Sequence, residues 1–361
     1  MQKYRSIQVL RAVAACSVLV SHTYEPVRHV DYGAAGVDLF FVISGFIMAN
    51  LAPGRTAGQF ARDRMFRIYP MWWIAALPWL LFVWCGPFCV LSTLTLWPIY
   101  GDAHYLPVLK VGWTLCLEVL FYAGVTCAVA TRPAIAIAAY ALLLLGALTT
   151  SVALLHFVGS PMALEFLMGV AVARLPRRRI FGLFLLLGPA LLALTPTALG
   201  DLGSSLGPEW ALQRALEWGL PAALVVWGAL SLEPLFEQRF FELPVKIGDA
   251  SYSIYLFHPL ISYGFDLVWP AKLAVALGTG VRCTCWSKRG SWLPTRAQFG
   301  AGGQVVPHLQ EERQASLTRA LLVSKASFTT CEGGFTWLLE RRPGNATTGA
   351  SSGSAWLMPF S

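Results

Sequence analysis

Charge is scarce in this chain. Asp, Glu, Lys and Arg make up 13% of its 361 residues, against about 25% in an ordinary globular protein. Apolar residues reach 56%. The length alone would suit two soluble domains, but this balance excludes them and indicates a chain that crosses a bilayer repeatedly. Metal-ligand spacing is also missing. The eight cysteines are Cys16, Cys85, Cys89, Cys116, Cys127, Cys283, Cys285 and Cys331. The Cys283/Cys285 pair lacks a second pair at zinc spacing, so no metal site and no bound cofactor are expected. Several of the others lie in apolar stretches, where Cys acts as a small hydrophobe. No small-residue cleavage site follows the basic first residues, so no cleaved signal peptide is expected. The net charge of +8 is no nucleic-acid signal: residues 1–270 carry +2 and residues 271–361 carry +6.

What is present is a series of apolar runs. They fall at 7–23, 33–51, 71–91, 111–131, 134–156, 161–175, 180–198, 213–231 and 247–269. The expected fold is all-α, a polytopic transmembrane bundle of about nine spans, with 1–270 as the membrane domain. With the N-terminus cytoplasmic, thirteen Lys and Arg lie in inner segments and three in outer ones, Arg28, Lys110 and Arg214. That bias supports the orientation. Residues 271–361 differ in character: they contain no Ile, Tyr or Asp, and are basic and Gly-rich. Two readings of this tail stay open, a disordered segment or the product of a shifted reading frame.

Ionisable residues inside apolar runs are the candidates for chemistry, because burying charge in lipid is costly. Arg11 and His22 are eleven residues apart in VLRAVAACSVLVSHTY. Three helical turns separate them, about 16 Å along one face. Arg11 then lies near the cytoplasmic end and His22 toward the outer end. Snorkelling by Arg11 and a helix-end position for His22 are the alternative. In GVDLFFVISGF, Asp38 lies at the level of His22, where a carboxylate can orient an imidazole, and Ser44-Gly45 allows close helix approach. The inner loop FARDRMFRIYPMWW clusters Arg62, Arg64 and Arg67, suited to phosphates but also expected from the positive-inside rule. Glu118 lies two turns inside KVGWTLCLEVLFY, beyond Trp113. Ser251, Tyr255 and His258 share one face of GDASYSIYLFHPL, with a kink expected at Pro259. Glu165 and Asp266 read as structural acids.

Taken in order, Arg11-x10-His22, GVDLFFVISGF, RMFRIYP, WTLCLEVLFY and SYSIYLFHP resemble the acyltransferase-3 family of integral-membrane O-acyltransferases, over roughly residues 5–270. IQVLRAVAA and GVDLFFVISGFIM look closest to its exopolysaccharide acetyltransferase branch. The resemblance implies about ten helices in the inner (cytoplasmic) membrane and acetyl-CoA as the acyl donor. The implied acceptor is a hydroxyl of a cell-surface saccharide or its lipid-linked precursor. It also implies roles: His22, Asp38 and Glu118 in catalysis; Arg11, Arg64, Arg67 and Tyr69 at the acyl-CoA; Trp113, Ser251, Tyr255 and His258 around the acceptor. A proton-coupled transporter, whose membrane sites use the same residue types, and an inactive remnant are the other classes. No internal repeat, the mark of many transporters, is visible in the sequence.

Overall fold

A computed structural model describes residues 4–23, 31–83, 85–100, 104–105, 107–195, 207–264 and 275–279. Arg28, Asp266, Cys283, Cys285, Cys331 and, apart from 275–279, the expected tail lie outside the described residues. The helices are α1 (Arg5–Thr23), α2 (Ala35–Leu51), α3 (Ala57–Phe82), α4 (Gly86–Thr95), α5 (Gly112–Ala130) and α6 (Pro133–Thr149). They continue as α7 (Ala153–Val158), α8 (Ala163–Val172), α9 (Phe184–Leu194), α10 (Pro208–Arg214), α11 (Leu220–Ser231) and α12 (Glu242–Gly264). A two-residue ladder pairs Ile99 with Tyr105 and Tyr100 with His104. The described residues are otherwise helices and their connections, as the apolar runs predict.

Among the described residues, four stretches are long and apolar enough to cross a membrane: α1, α3, α5 and the run Ala153–Val172 that holds α7 and α8. Shorter apolar helices include α2, α4, α6 and the stretch Arg179–Leu194. Of the nine or so spans expected from sequence, several of them short or Pro-interrupted, α1, α3, α5 and Ala153–Val172 have full spanning length. Gly and Pro divide the runs, as at Gly86-Pro87, Gly159 and Pro161. The expected 71–91 span is displaced most. Its helix begins at Ala57, so FARDRMFRIYP is helix rather than loop. Thr56 Oγ1 accepts from the Gln59 amide at 3.3 Å, and Gln59 Oε1 accepts from the Thr56 amide at 3.3 Å. This capping box satisfies two otherwise orphaned donors and starts the helix well before the apolar residues begin. The arginines resemble a loop only while their charge is weighed above the cap.

The packing rests on close backbone contacts. A Cβ at Gly45 would lie 1.9 Å from the Phe166 carbonyl oxygen, and one at Gly169 would lie 1.9 Å from the Val42 oxygen. Two glycines thus let α2 and α8 touch backbone to backbone, as the Ser44-Gly45 reading anticipates. Gly248 does the same for α12 on α1, where a Cβ would lie 1.8 Å from the Gln8 oxygen. The start of α1 has no acidic residue of its own. Glu233 supplies one, accepting from the Arg5 amide at 2.5 Å and from the Ser6 hydroxyl. A carboxylate there suits the positive end of the helix dipole.

Large apolar side chains point outward. Phe82 is 87% exposed and Leu194 81%, and α6 buries only Ala147. In water each such residue would lack about 1.5–3 kcal/mol of burial energy. Lipid chains remove that deficit, and the protein is a membrane protein. One cysteine pair departs from the hydrophobe reading: Cys85 and Cys89 form a disulfide, with Cα atoms 5.6 Å apart. Four-residue spacing at the start of α4 brings the two sulfurs together.

Candidate active site

Five helices enclose a cavity of about 90 Å³ in the middle of the bundle. Helix α1 contributes Arg11, α2 Ser44, α3 Arg67, α5 Glu118 and α12 Ser251 and Tyr255. These polar side chains come from segments up to 244 residues apart, if Arg11 and Tyr255 are taken as the extremes. The rest of the wall is apolar and aromatic, as small-molecule sites generally are.

On the cavity wall, Glu118 accepts hydrogen bonds from the Ser44 hydroxyl at 3.2 Å and from the Tyr122 hydroxyl. Tyr122 lies one turn after Glu118, so a single helix supplies both acid and donor. Arg11 reaches Gln8 Oε1 at 3.3 Å and has Arg67, Asp249 and Glu118 as charged neighbours. Arg67 is exposed. Arg64, one turn earlier on α3, lies beside Tyr122. Two guanidinium groups on the cavity wall and a third alongside make an electropositive surface fitted to phosphate oxygens. Ser251 is wholly buried and its hydroxyl has no hydrogen-bond partner among the described residues. A buried hydroxyl facing a cavity without a partner is a group prepared for a ligand or a water.

Tyr255 connects the cavity to a second centre. Its hydroxyl lies 2.9 Å from the Thr114 hydroxyl and 3.2 Å from the Val111 carbonyl oxygen. Its ring is 5.8 Å from the His258 ring. His258 in turn packs edge-on against His22, with ring centroids 4.9 Å apart. The His22 Nδ1 lies 2.8 Å from the Val18 carbonyl oxygen. Arg11, Arg67, Glu118 and Tyr255 therefore share one cavity, and ring contacts lead from Tyr255 through His258 to His22.

Asp38 has a different partner from the one its sequence position indicates. Both its oxygens accept from Arg214, at 2.9 Å from Nε and 2.8 Å from Nη2, instead of orienting His22. Arg214 Nη2 also donates to the Ala34 carbonyl at 3.1 Å. The guanidinium sits against three indoles, 4.7 Å from Trp218, 5.3 Å from Trp210 and 5.9 Å from Trp113. Glu165 lies beside this pair, wholly buried, with neither oxygen hydrogen-bonded among the described residues. A π-helical turn at Ala215–Gly219 follows Arg214, and Gly219 makes room for Glu165. Such turns recur at functional sites.

Tyr69 does not line the cavity. Its hydroxyl donates to the Thr95 carbonyl at 2.6 Å and ties α3 to α4. Trp113 stands between Phe41 and Arg214. Arg214 was the residue sequence reasoning passed over, counted only as one of three outer cations. Its signal was available: an Arg between two tryptophans at the mouth of an apolar run. Tyr122 was visible too, as the i+4 neighbour of an intramembrane acid.

The acyltransferase-3 family profile, described as an acyltransferase domain, matches residues 4–286. The exopolysaccharide production protein ExoZ of Rhizobium meliloti (strain 1021) is 35% identical over 281 residues, covering 70% of this chain and 82% of that protein. No solved structure matches the chain.

Proposed function

The chain belongs to the acyltransferase-3 family, and on that premise we propose that it is a multi-pass O-acyltransferase of the inner membrane. It moves an acyl group, acetyl in the first instance, from acyl-CoA to a hydroxyl of an exopolysaccharide or its lipid-linked precursor. The name of the similar ExoZ protein supports the choice of acceptor. The observation that carries the reading is the cavity itself, into which Arg11, Arg67, Glu118, Ser251 and Tyr255 converge from four helices. At about 90 Å³ it is far too small for a whole coenzyme. The nucleotide end therefore stays toward the cytoplasm against Arg11, Arg64 and Arg67, and only the thioester arm enters.

The arm follows the face of α1 toward His22. There His22 takes the proton of the acceptor hydroxyl as the oxygen attacks the thioester carbon. The C–S bond breaks, and the proton passes to the leaving thiolate. Imidazole suits this work because its ordinary pKa is near neutral. Glu118 holds the cavity's hydroxyls in place and offers the acceptor a hydrogen-bond partner. Asp38 acts through Arg214, fixing the outer end of α2. The proposed N-inside orientation, supported by the bias of Lys and Arg, has the arginines on the cytoplasmic side with the donor and His22 near the outer face with the saccharide.

The test uses membranes carrying the full chain and acetyl-labelled acetyl-CoA. Label enters exopolysaccharide with the wild type and is lost in His22→Ala. Equal labelling in the variant removes His22 from catalysis, and saccharide flux without labelling makes the protein a transporter.

A further inference from the structure

Six of the residues lining the cavity carry hydroxyls: Ser44, Thr114, Tyr122, Ser251, Tyr252 and Tyr255. Five of these hydroxyls are committed within the fold. Ser44 and Tyr122 donate to Glu118, and Tyr252 donates to the Ile68 carbonyl at 2.9 Å. Thr114 and Tyr255 lie 2.9 Å apart and both reach the Val111 carbonyl oxygen. Ser251 is the exception. Its hydroxyl is buried and has no hydrogen-bond partner among the described residues.

Other helices of this chain show what Ser251 forgoes. A serine or threonine in a helix can donate to a carbonyl three or four residues earlier. Ser17 does so at 3.0 Å, Thr23 at 2.7 Å, Thr126 at 2.7 Å and Ser231 at 2.9 Å. Ser251 makes no such bond. Ser92 of α4 is also buried without a partner among the described residues, but it does not line this cavity. An unmatched buried hydroxyl costs the fold stability, and a ligand that brings an acceptor removes that cost.

Position decides which part of a ligand that is. Ser251 shares a face of α12 with Tyr255 and His258 and stands seven residues before His258, about 10 Å along the axis. His258 packs on His22, where the acyl group is transferred in the function proposed above. Ser251 is therefore too far from the histidines to touch the reacting carbonyl or the saccharide hydroxyl. It shares its cavity with Arg11 and Arg67 instead, the groups assigned to the phosphates. In acyl-CoA, the segment between the phosphates and the thioester is the pantetheine arm, which contains two secondary amides. An amide carbonyl accepts what Ser251 has to donate. The amide N–H finds an acceptor on the same wall, because Glu118 receives two hydrogen bonds and a carboxylate has room for about four.

We infer that Ser251 binds an amide carbonyl of the pantetheine arm, setting affinity for the acyl-CoA without entering the bond-making step. The inference rests on the reading of the protein as an acyl-CoA-dependent transferase.

Membranes carrying the full chain are assayed with labelled acetyl-CoA, and with pantetheine, which has the arm but no phosphate, as competing inhibitor. Ser251→Ala raises KM for acetyl-CoA and Ki for pantetheine by about 5–10-fold, the worth of one hydrogen bond. Its kcat and its KM for the saccharide are unchanged, as expected when uniform binding is lost. Arg67→Ala raises KM for acetyl-CoA but leaves Ki for pantetheine as it was. The unfolding temperature of Ser251→Ala in detergent is no lower than that of the wild type, because only an unmatched group has been removed. Wild-type KM and Ki in Ser251→Ala mean that a water alone serves the hydroxyl, and overturn the inference. A rise in KM for the saccharide instead, a lower unfolding temperature, or no inhibition of the wild type by pantetheine also overturns it. If the wild type transfers acetyl from acetyl-CoA in any of these cases, only the role of Ser251 fails. If it transfers none, the underlying reading fails as well.

Discussion

Two charged regions of this protein handle their charge in opposite ways. Around Asp38 the charges are matched within the fold: both carboxylate oxygens meet Arg214, whose remaining faces lie on indoles and a backbone carbonyl. Around the cavity they are matched less completely, although Glu118 accepts from Ser44 and Tyr122. Arg67 is exposed, Arg11 holds only Gln8, and Ser251 holds nothing among the described residues. A saturated buried pair fixes helices relative to one another. Unsaturated groups converging on a cavity are free to exchange their partners for a substrate's. The contrast locates binding at the cavity and support at the Asp38 pair, although both consist of the same residue types.

Breaking the saturated side should do the most damage to the fold. Arg214→Ala strands the Asp38 carboxylate in a site with no access to water, and removing one member of such a pair costs about 3–5 kcal/mol. Thermal unfolding in detergent should show a large drop, and little folded protein should be recovered. A variant as stable as the wild type would mean that the pair is not the support claimed for it. Next is Gly45→Val. Its side chain has to displace the Phe166 backbone, and overpacking of this kind costs about 1–3 kcal/mol. It is measured by the same unfolding assay, with Gly58→Val, where a Cβ meets open space, as the neutral control.

The unsaturated side should behave differently. Arg67→Ala leaves the unfolding temperature unchanged but raises KM for acetyl-CoA about tenfold or more, the worth of a charged hydrogen bond. Equal losses of stability and KM would erase the distinction between the two regions. Tyr255→Phe, at the junction between the cavity and the histidines, should lower stability in the same unfolding assay by only about 1 kcal/mol, for one hydrogen bond. Thr114 and the Val111 carbonyl, 3.0 Å apart, still have each other.

How far each region could be read from sequence follows the same division. The cavity and the histidines beside it were largely legible, because their side chains sit in helices whose period can be counted: Arg11 to His22 over three turns, and Ser251, Tyr255 and His258 along one stripe. The helical start at Ala57 was legible in Thr56 and Gln59 but was outweighed by the neighbouring arginines. The Asp38 partner was not legible. Arg214 stands 176 residues away, and no local period connects them.

By itself, the sequence determined that the chain is helical and membrane-embedded, and which faces of α1 and α12 are polar. Those properties follow from composition and from the 3.6-residue repeat, which act over a few turns. Only the tertiary structure decided that Arg214 claims Asp38, that His22 meets His258 and that Glu118 stands among the hydroxyls of Ser44 and Tyr122. Each of these depends on how closely helices approach, set by contacts such as Gly45 on Phe166 and Gly248 on Gln8. The energy of such contacts comes from shape matched across the bundle, and no single segment contains it.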